Sequence, residues 1–460
     1  MAADEVIYVV GALNLIERGS LDTNFYLPDS LIRQGHPHRD VHMPGYVFAL
    51  APFVAALGPG LAAVALLNVL ALVLLVLLVH AVARSLRVDP HPAAAAAALV
   101  PLLPPFPGYL YVAFPELLLP LLLLAGVWLS SGGVGAGRAA LAGALYGVGP
   151  LFRENLLIAL PIYAVLLPGR LLLRAFLPAA ATVAALVYAV FGPGRAQLPN
   201  DVYPAILFES LRSARPAATL WRALEANVGH NLGLLAGARP WDNPEDGVLL
   251  LLLLLTLAAA GGALALRGRV RRVGLAAAAS MLLVGVAVVV LYAVRATGRP
   301  WAGVRQFMAW QPLLLVFAVA GAWRLRRGRG PVLAAAAGVC LALSLSHVRF
   351  VNEEWKGRDL RRSRSFVRHV GPWLDPLQPK RIAVRSNNAF LYGLTRYPVE
   401  VIWPIRSLDE LAAVERVVQF EFLVLPRSAP MLAYLEGNAR YRHLNTHDPD
   451  GRFYIWQRLY

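Results

Sequence analysis

Cysteine is almost absent from this chain of 460 residues. Cys340 stands alone, so no intrachain disulfide forms, and neither cysteine chemistry nor a cysteine-ligated metal has the residues it needs. Lysine is nearly as scarce, since Lys356 and Lys380 are the only two among 43 basic residues. Charge of either sign is thin at 15% of the chain, and the 27 acids leave a formal net charge of +16. A Walker loop, a metal-spaced set of His or Cys, and an internal repeat of about 20 to 50 residues are also missing. Gly132, Gly133, Gly135 and Gly137 fall in a short turn between apolar runs, not between a strand and a helix, so they make no dinucleotide loop.

Apolar residues fill the space those absences leave. They make up 58% of the chain, and the mean hydropathy is +0.56, so the main solvent is lipid. Runs able to enter a bilayer occupy residues 61–83, 93–107, 110–130, 140–152, 154–168, 173–192, 248–266, 274–294, 306–323 and 331–347. Several are shorter than the roughly 20 residues of a full crossing, which points to broken or tilted helices. Many arginines sit between these runs, where they set orientation, so the basic balance does not imply a nucleic-acid partner.

The positive-inside rule orients the chain. Alternate connections carry Arg84 and Arg87, then Arg138, then Arg170 and Arg174, then Arg267, Arg269, Arg271 and Arg272, and last Arg324, Arg326, Arg327 and Arg329. That uniformly basic set is read as cytoplasmic. The opposite side then receives residues 1–60, the 101–109 turn, Arg153, the 192–247 segment, the 295–305 loop and everything after about 348. The alternation requires 140–168 to be two short helices meeting at Arg153, and 44–58 to lie at the outer interface without crossing. It also starts the chain outside, so a preceding N-terminal span is expected.

From about Arg349 the composition becomes that of a globular domain. Strand-like runs cover Arg381–Arg385, Val399–Trp403, Phe420–Leu425 and Arg452–Trp456, and Ser407 with Glu410 forms a capping box ahead of a helix to Val418. The expected fold is an α-helical polytopic membrane protein of about ten spans with a small C-terminal α/β domain. Its domains are a membrane domain over 1–348, including outer loops 1–60 and 192–247, and an extracytoplasmic domain over 349–460.

Several residues carry possible chemistry. Asp4 and Glu5 open an apolar helix, Val6 to Ile16, that ends at Gly19; such acids suit helix polarity alone or a catalytic role. Arg153, with Glu154 beside it, lies between two apolar runs, where an ionisable group either pairs or serves a site. Arg295, Arg299 and Arg305 crowd a short outer loop against the positive-inside bias, so a donor phosphate or anionic headgroups must compensate them. Glu116 beside Pro115 reads as an orienting acid, a metal ligand or a solvated interfacial acid. His42 reads as a phosphate donor or a hydrogen-bonding loop residue.

Together these features resemble the GT-C glycosyltransferases, in particular protein O-mannosyltransferases and bacterial aminoarabinose transferases, which use polyprenyl-phosphate sugars. The Asp4-Glu5 helix, followed by His42-Met43-Pro44-Gly45-Tyr46, looks like their first outer loop. Phe114-Pro115-Glu116 is similar to an acidic position at the outer end of a span. Gly143 to Leu157 with Arg153 looks like their span-turn-span element, and Arg305-Gln306-Phe307 with Pro312 looks like their late arginine motif. The stretch from Ser386-Asn387-Asn388 through Arg396 to Pro404 resembles the C-terminal soluble domain of bacterial members. Two departures stand out: the first span is absent, and His42-Met43-Pro44 replaces a basic residue followed by two prolines.

The resemblance implies a multi-pass cell-membrane enzyme with an extracytoplasmic active site. Its partners would be a polyprenyl-phosphate sugar donor, membrane lipid and a glycan, lipid or protein acceptor, with no nucleic acid. Asp4 with Glu5 would act as catalytic base, and Arg153, Arg305, Arg299, Arg295 and His42 would hold the donor phosphate. Glu116 and Glu154 would be acceptor or auxiliary acids. No metal ligand is assigned and no cofactor is required, although a divalent metal stays open. The residue types suit the reaction, because arginine forks bind phosphate oxygens in pairs and a carboxylate can take the acceptor proton. A transporter or flippase for a lipid-linked or anionic substrate is the rival reading, and it would call for internal repeats and ionisable groups at mid-membrane.

Overall fold

The computed structural model describes residues 3–21, 23–26, 44–195, 217–218, 221–222, 225, 228, 244–291, 307–324, 329–385, 389–403, 405–426, 429, 431–445 and 452–459. The chain forms two compact units. Met1–Val64 joins Val351–Tyr460 in the first, and Ala65–Gly192 with Asn200–Phe350 makes up the second.

The first unit is built on a six-stranded sheet: β1 (Phe25–Tyr26), β2 (Arg381–Val384), β3 (Glu400–Ile402), β4 (Phe422–Pro426), β5 (Tyr441–His443) and β6 (Phe453–Arg458). Its order is β1-β3-β2-β4-β6-β5. The first four strands in that order run parallel, and β6 pairs antiparallel with both β4 and β5. A parallel sheet needs cover on both faces, and alternation along the strands supplies two apolar surfaces. Ile382, Val384 and Val424 face a core closed by Val6 and Val10 of the Ala3–Arg18 helix and by Phe366, Val370 and Leu374 of the Gly357–Leu374 helix. Ala383, Leu423 and Leu425 face the other core, closed by Leu411 and Val414 of the Leu408–Val417 helix. That helix starts with half of a capping box: the Ser407 hydroxyl accepts from the Glu410 amide at 3.2 Å, while the Glu410 carboxylate accepts at 2.6 Å from the amide of Arg406, one residue ahead of the N-cap.

The N-terminal segment is woven into this sheet. The Ala3–Arg18 helix stops at Gly19, whose φ of +63° is the left-handed conformation glycine adopts without strain. Asn14 then bridges two segments, donating to Asn24 at 3.1 Å and accepting from the Tyr397 hydroxyl at 2.8 Å. Phe25 and Tyr26 register with Val401 and Ile402. The Pro44–Leu57 helix packs on the first helix, with Tyr46 edge-on to Tyr8 at 5.2 Å.

The second unit is helical. Three helices among the described residues are long and apolar enough to cross a bilayer: Leu61–Ser85, Gly169–Val190 and Ala334–Glu353. The other apolar runs, of about ten expected, include the Gly268–Leu291 helix and shorter apolar helices such as Pro115–Ser131, Asn155–Leu166, Leu250–Ala265 and Gln311–Arg324. Proline is the physical cause at several breaks. The 93–107 run ends its regular helix at Leu99 ahead of Pro101, and the 110–130 run becomes helical only after Pro115. Leu70, Leu74 and Leu77 on one helix, and Leu253, Leu254, Leu257 and Leu264 on another, are exposed. Outward leucines in such numbers are the surface of a membrane protein.

Candidate functional site

Two loops of the second unit meet at one ion pair. The first follows the short Phe106–Tyr109 turn and is pinned by the Leu61–Ser85 helix, whose buried Asn68 donates its amide to the carbonyls of Tyr109, Leu110 and Val112 at 3.0, 3.2 and 2.8 Å. One side-chain amide, sharing two N–H donors among three backbone carbonyls, thus fixes the turn before Phe114. Extended Phe114 then hands the chain to a 3-10 turn, Pro115–Leu117, which places Glu116 in the interior with no exposure at all.

The second loop is the junction between two short helices, as the orientation argument requires. Ala136–Val148 passes into a 3-10 turn, Arg153 is extended, and a second 3-10 turn at Glu154–Ala159 leads into Leu160–Leu166. The Gly149 carbonyl accepts from the Arg153 amide at 2.8 Å, so the reversal is closed by backbone. Close helix packing holds it from one side. A Cβ at Gly143 would lie 2.2 Å from the Phe176 carbonyl oxygen and one at Gly147 would lie 2.5 Å from that of Ala180, so only glycine admits this approach. On the other side Tyr146, Tyr163 and Phe176 cluster, with ring centroids 4.8 to 5.5 Å apart, and the Tyr146 hydroxyl donates to the Leu157 carbonyl at 2.5 Å.

Arg153 Nη2 lies 2.5 Å from Glu116 Oε1, with Arg153 13% exposed and Glu116 fully buried. The structure therefore joins two residues read separately from the sequence, and gives Arg153 a partner 37 positions away, where adjacent Glu154 had been the obvious one. The guanidinium has five N–H donors, more than one carboxylate can take up. Such a pair fixes the plane of the arginine.

The other expected site residues divide as follows. Asp4 and Glu5 lie in the first turn of the Ala3–Arg18 helix, Glu5 completely buried; the side chains of Asp4 and Glu154 lie outside the described residues. His42, Arg295, Arg299 and Arg305 lie outside them too. Asp4 and Glu5 belong to the first compact unit, and Arg153 and Glu116 to the second. Among the described residues no three His, Cys, Asp or Glu side chains cluster as metal ligands would.

Sequence reasoning missed two features. At the start of the Gln311–Arg324 helix, Trp310 and Gln311 are buried, and neither the indole N–H nor either atom of the Gln311 amide has a hydrogen-bond partner among the described residues. Buried polar groups are nearly always paired, so these atoms call for partners outside the described residues. The signal in the sequence was present but faint: a glutamine directly before Pro312 in an otherwise apolar run. The second is a cleft of about 960 Å³ in the first unit, lined by Arg18, Asp375, Lys380, Arg381, Tyr392 and Arg396 among others. There Arg396 grips Asp375 side-on, Nε to Oδ1 at 3.0 Å and Nη2 to Oδ2 at 2.6 Å. Arg396, with a smaller contribution from the Tyr392 hydroxyl, holds the Asp375 carboxyl below its usual range; burial and Asp375 together push the Tyr392 phenol up.

With that geometry in hand, comparison with solved structures is informative. A crystal structure of ArnT from Cupriavidus metallidurans bound to undecaprenyl phosphate aligns with 99% of this chain and 93% of its own, at TM-score 0.58 and 14% identity. The chain has an ArnT-like fold. The apo structure of the same ArnT aligns over 98% of this chain and 93% of its own, at TM-score 0.46 and 13% identity. No family model and no curated protein matches the sequence. The ArnT likeness spans both compact units.

Proposed function

We propose that this protein is an inverting glycosyltransferase that moves a sugar from a polyprenyl-phosphate donor to an acceptor hydroxyl at the extracytoplasmic membrane face. The observation that carries the reading is the fold likeness over 99% of the chain to ArnT with undecaprenyl phosphate bound. The arginine-rich connections on one side of the apolar runs support an outward-facing site.

In this reading the acceptor oxygen attacks the anomeric carbon as the bond from that carbon to the phosphate oxygen breaks. The bonding pair leaves with the phosphate, and the acceptor proton passes to the Asp4 carboxylate, with Glu5 beside it. One displacement without a covalent enzyme intermediate inverts the anomeric centre. Charge grows on the phosphate in the transition state, where fixed cations contribute most. Arg153 supplies one, held in orientation by Glu116, and Arg295, Arg299, Arg305 and His42 supply the rest. The buried Gln311 amide and Trp310 N–H offer further hydrogen bonds to the polar part of the donor.

Incubating membranes that contain the protein with radiolabelled polyprenyl-phosphate sugars tests the proposal. Labelled product should form with the wild type, and Asp4→Asn should retain donor binding while losing turnover. Labelled donor that crosses the bilayer without ever yielding a glycosylated product would overturn the reading in favour of transport.

A further inference from the structure

The Gly357–Leu374 helix has a second face that the sheet does not use. Ser363, Phe366, Val370 and Leu374 are buried toward the sheet, and Arg361, Arg362, Arg364 and Arg368 are all exposed. At about 100° per residue, Arg361, Arg364 and Arg368 form one stripe opposite the buried side, with Arg362 at its margin. Among the described residues no acid pairs with any of the four. Surface helices ordinarily interleave acids with bases at three- and four-residue spacing; here six basic residues face one acid between Lys356 and Arg368.

Chain position says what compensates them. The apolar helix Ala334–Glu353, long enough to cross a bilayer, ends eight positions before Arg361. Arg361 stands eight and Arg368 fifteen positions past that helix, about 12 and 22 Å along helical chain, so the stripe begins close to the headgroup layer and a tilt of its helix brings the rest to it. Anionic headgroups attract basic segments next to a span and do so only within about a Debye length, which at physiological salt is ~8 Å. Guanidinium forks suit phosphate oxygens by geometry as well as charge.

We propose that the arginine stripe Arg361, Arg364 and Arg368, with Arg362, is a docking surface for the anionic phosphate headgroups of the bilayer, holding the sheet-bearing unit against the membrane. It stands whether or not the chain transfers sugar, since it needs only a span and a charged surface. Each arginine near an anionic surface strengthens association about fivefold, so loss of three lowers it roughly a hundredfold.

The full chain carrying Cys340→Ser and Ser365→Cys, labelled with a fluorophore at position 365, would be placed in nanodiscs that contain a headgroup-nitroxide lipid. Quenching should be stronger with phosphatidylglycerol present than in phosphatidylcholine alone, and should fall as salt is raised. Arg361→Gln, Arg364→Gln and Arg368→Gln together should abolish the difference, and the corresponding triple lysine variant should restore most of it. Equal quenching in both lipids, or a triple glutamine variant that behaves like its parent, would overturn the proposal. Should the glutamine variant fold poorly, the lipid and salt series on the parent chain decide the matter alone.

Discussion

Replacing Arg153 by glutamine takes the guanidinium away from fully buried Glu116, and that single change separates structure from chemistry at the candidate site. Breaking a buried pair by removing one partner costs about 3–5 kcal/mol, because the remaining charge keeps its desolvation penalty. Arg153→Gln should therefore unfold more readily in detergent by about that amount, and Glu116→Gln should cost less, since Arg153 is 13% exposed and can turn toward water. Replacing both, as in Arg153→Met with Glu116→Leu, removes the uncompensated charge and should recover most of the stability. Sugar transfer should not recover with it, because the phosphate has lost its cation. The assay is a double-mutant cycle, with thermal unfolding and labelled-sugar transfer measured on all four proteins. Arg153→Gln as stable as the wild type would refute the energetic argument. A double variant with wild-type transfer would show that the pair only holds the junction together.

Other perturbations follow from the same geometry. Gln311→Leu should stabilise the protein by about 1–3 kcal/mol, by deleting buried polar atoms that have no partner among the described residues, and should slow transfer; unchanged unfolding temperature would contradict the hydrogen-bond accounting. Gly143→Ala forces a Cβ toward the Phe176 carbonyl and should cost about 1–3 kcal/mol, read by thermal unfolding. Asp375, whose folded pKa is depressed chiefly by Arg396, contributes stability that is present above the ordinary carboxylate pKa and is lost as pH falls through the folded one. An acid titration followed by near-UV circular dichroism should then show a destabilisation in the wild type that Asp375→Asn lacks.

Much of the sheet-bearing unit was readable in the sequence because its signals are local. Ser407 and Glu410 announce a helix start within four residues, and the runs that become β2, β3, β4 and β6 are long enough to show themselves. β1 was not readable: two residues have no period, and their partners on β3 are supplied by folding from the far end of the chain. The same holds for the tie between Asn14 and Tyr397, and it explains why the N-terminal helix falls into one compact unit with the C-terminal residues. The break at Arg153 could be read from the orientation argument, but its pairing with Glu116 could not. Nothing in a sequence distinguishes a carboxylate 37 positions away from the one next door, and the turn pinned by Asn68 makes the difference. Helix ends among the apolar runs were less readable than the runs themselves, since hydropathy registers apolar runs while proline decides where a helix can continue.

Binding of the carrier phosphate tests the central idea most directly. Undecaprenyl phosphate would be titrated into nanodiscs holding wild type, Asp4→Asn or Arg153→Gln protein, and the phosphorus-31 resonance followed. A shifted, saturable signal is expected with the wild type and with Asp4→Asn, and its loss with Arg153→Gln. A resonance that responds equally to all three proteins, or to none, would contradict the placement of the donor phosphate at the Arg153 junction.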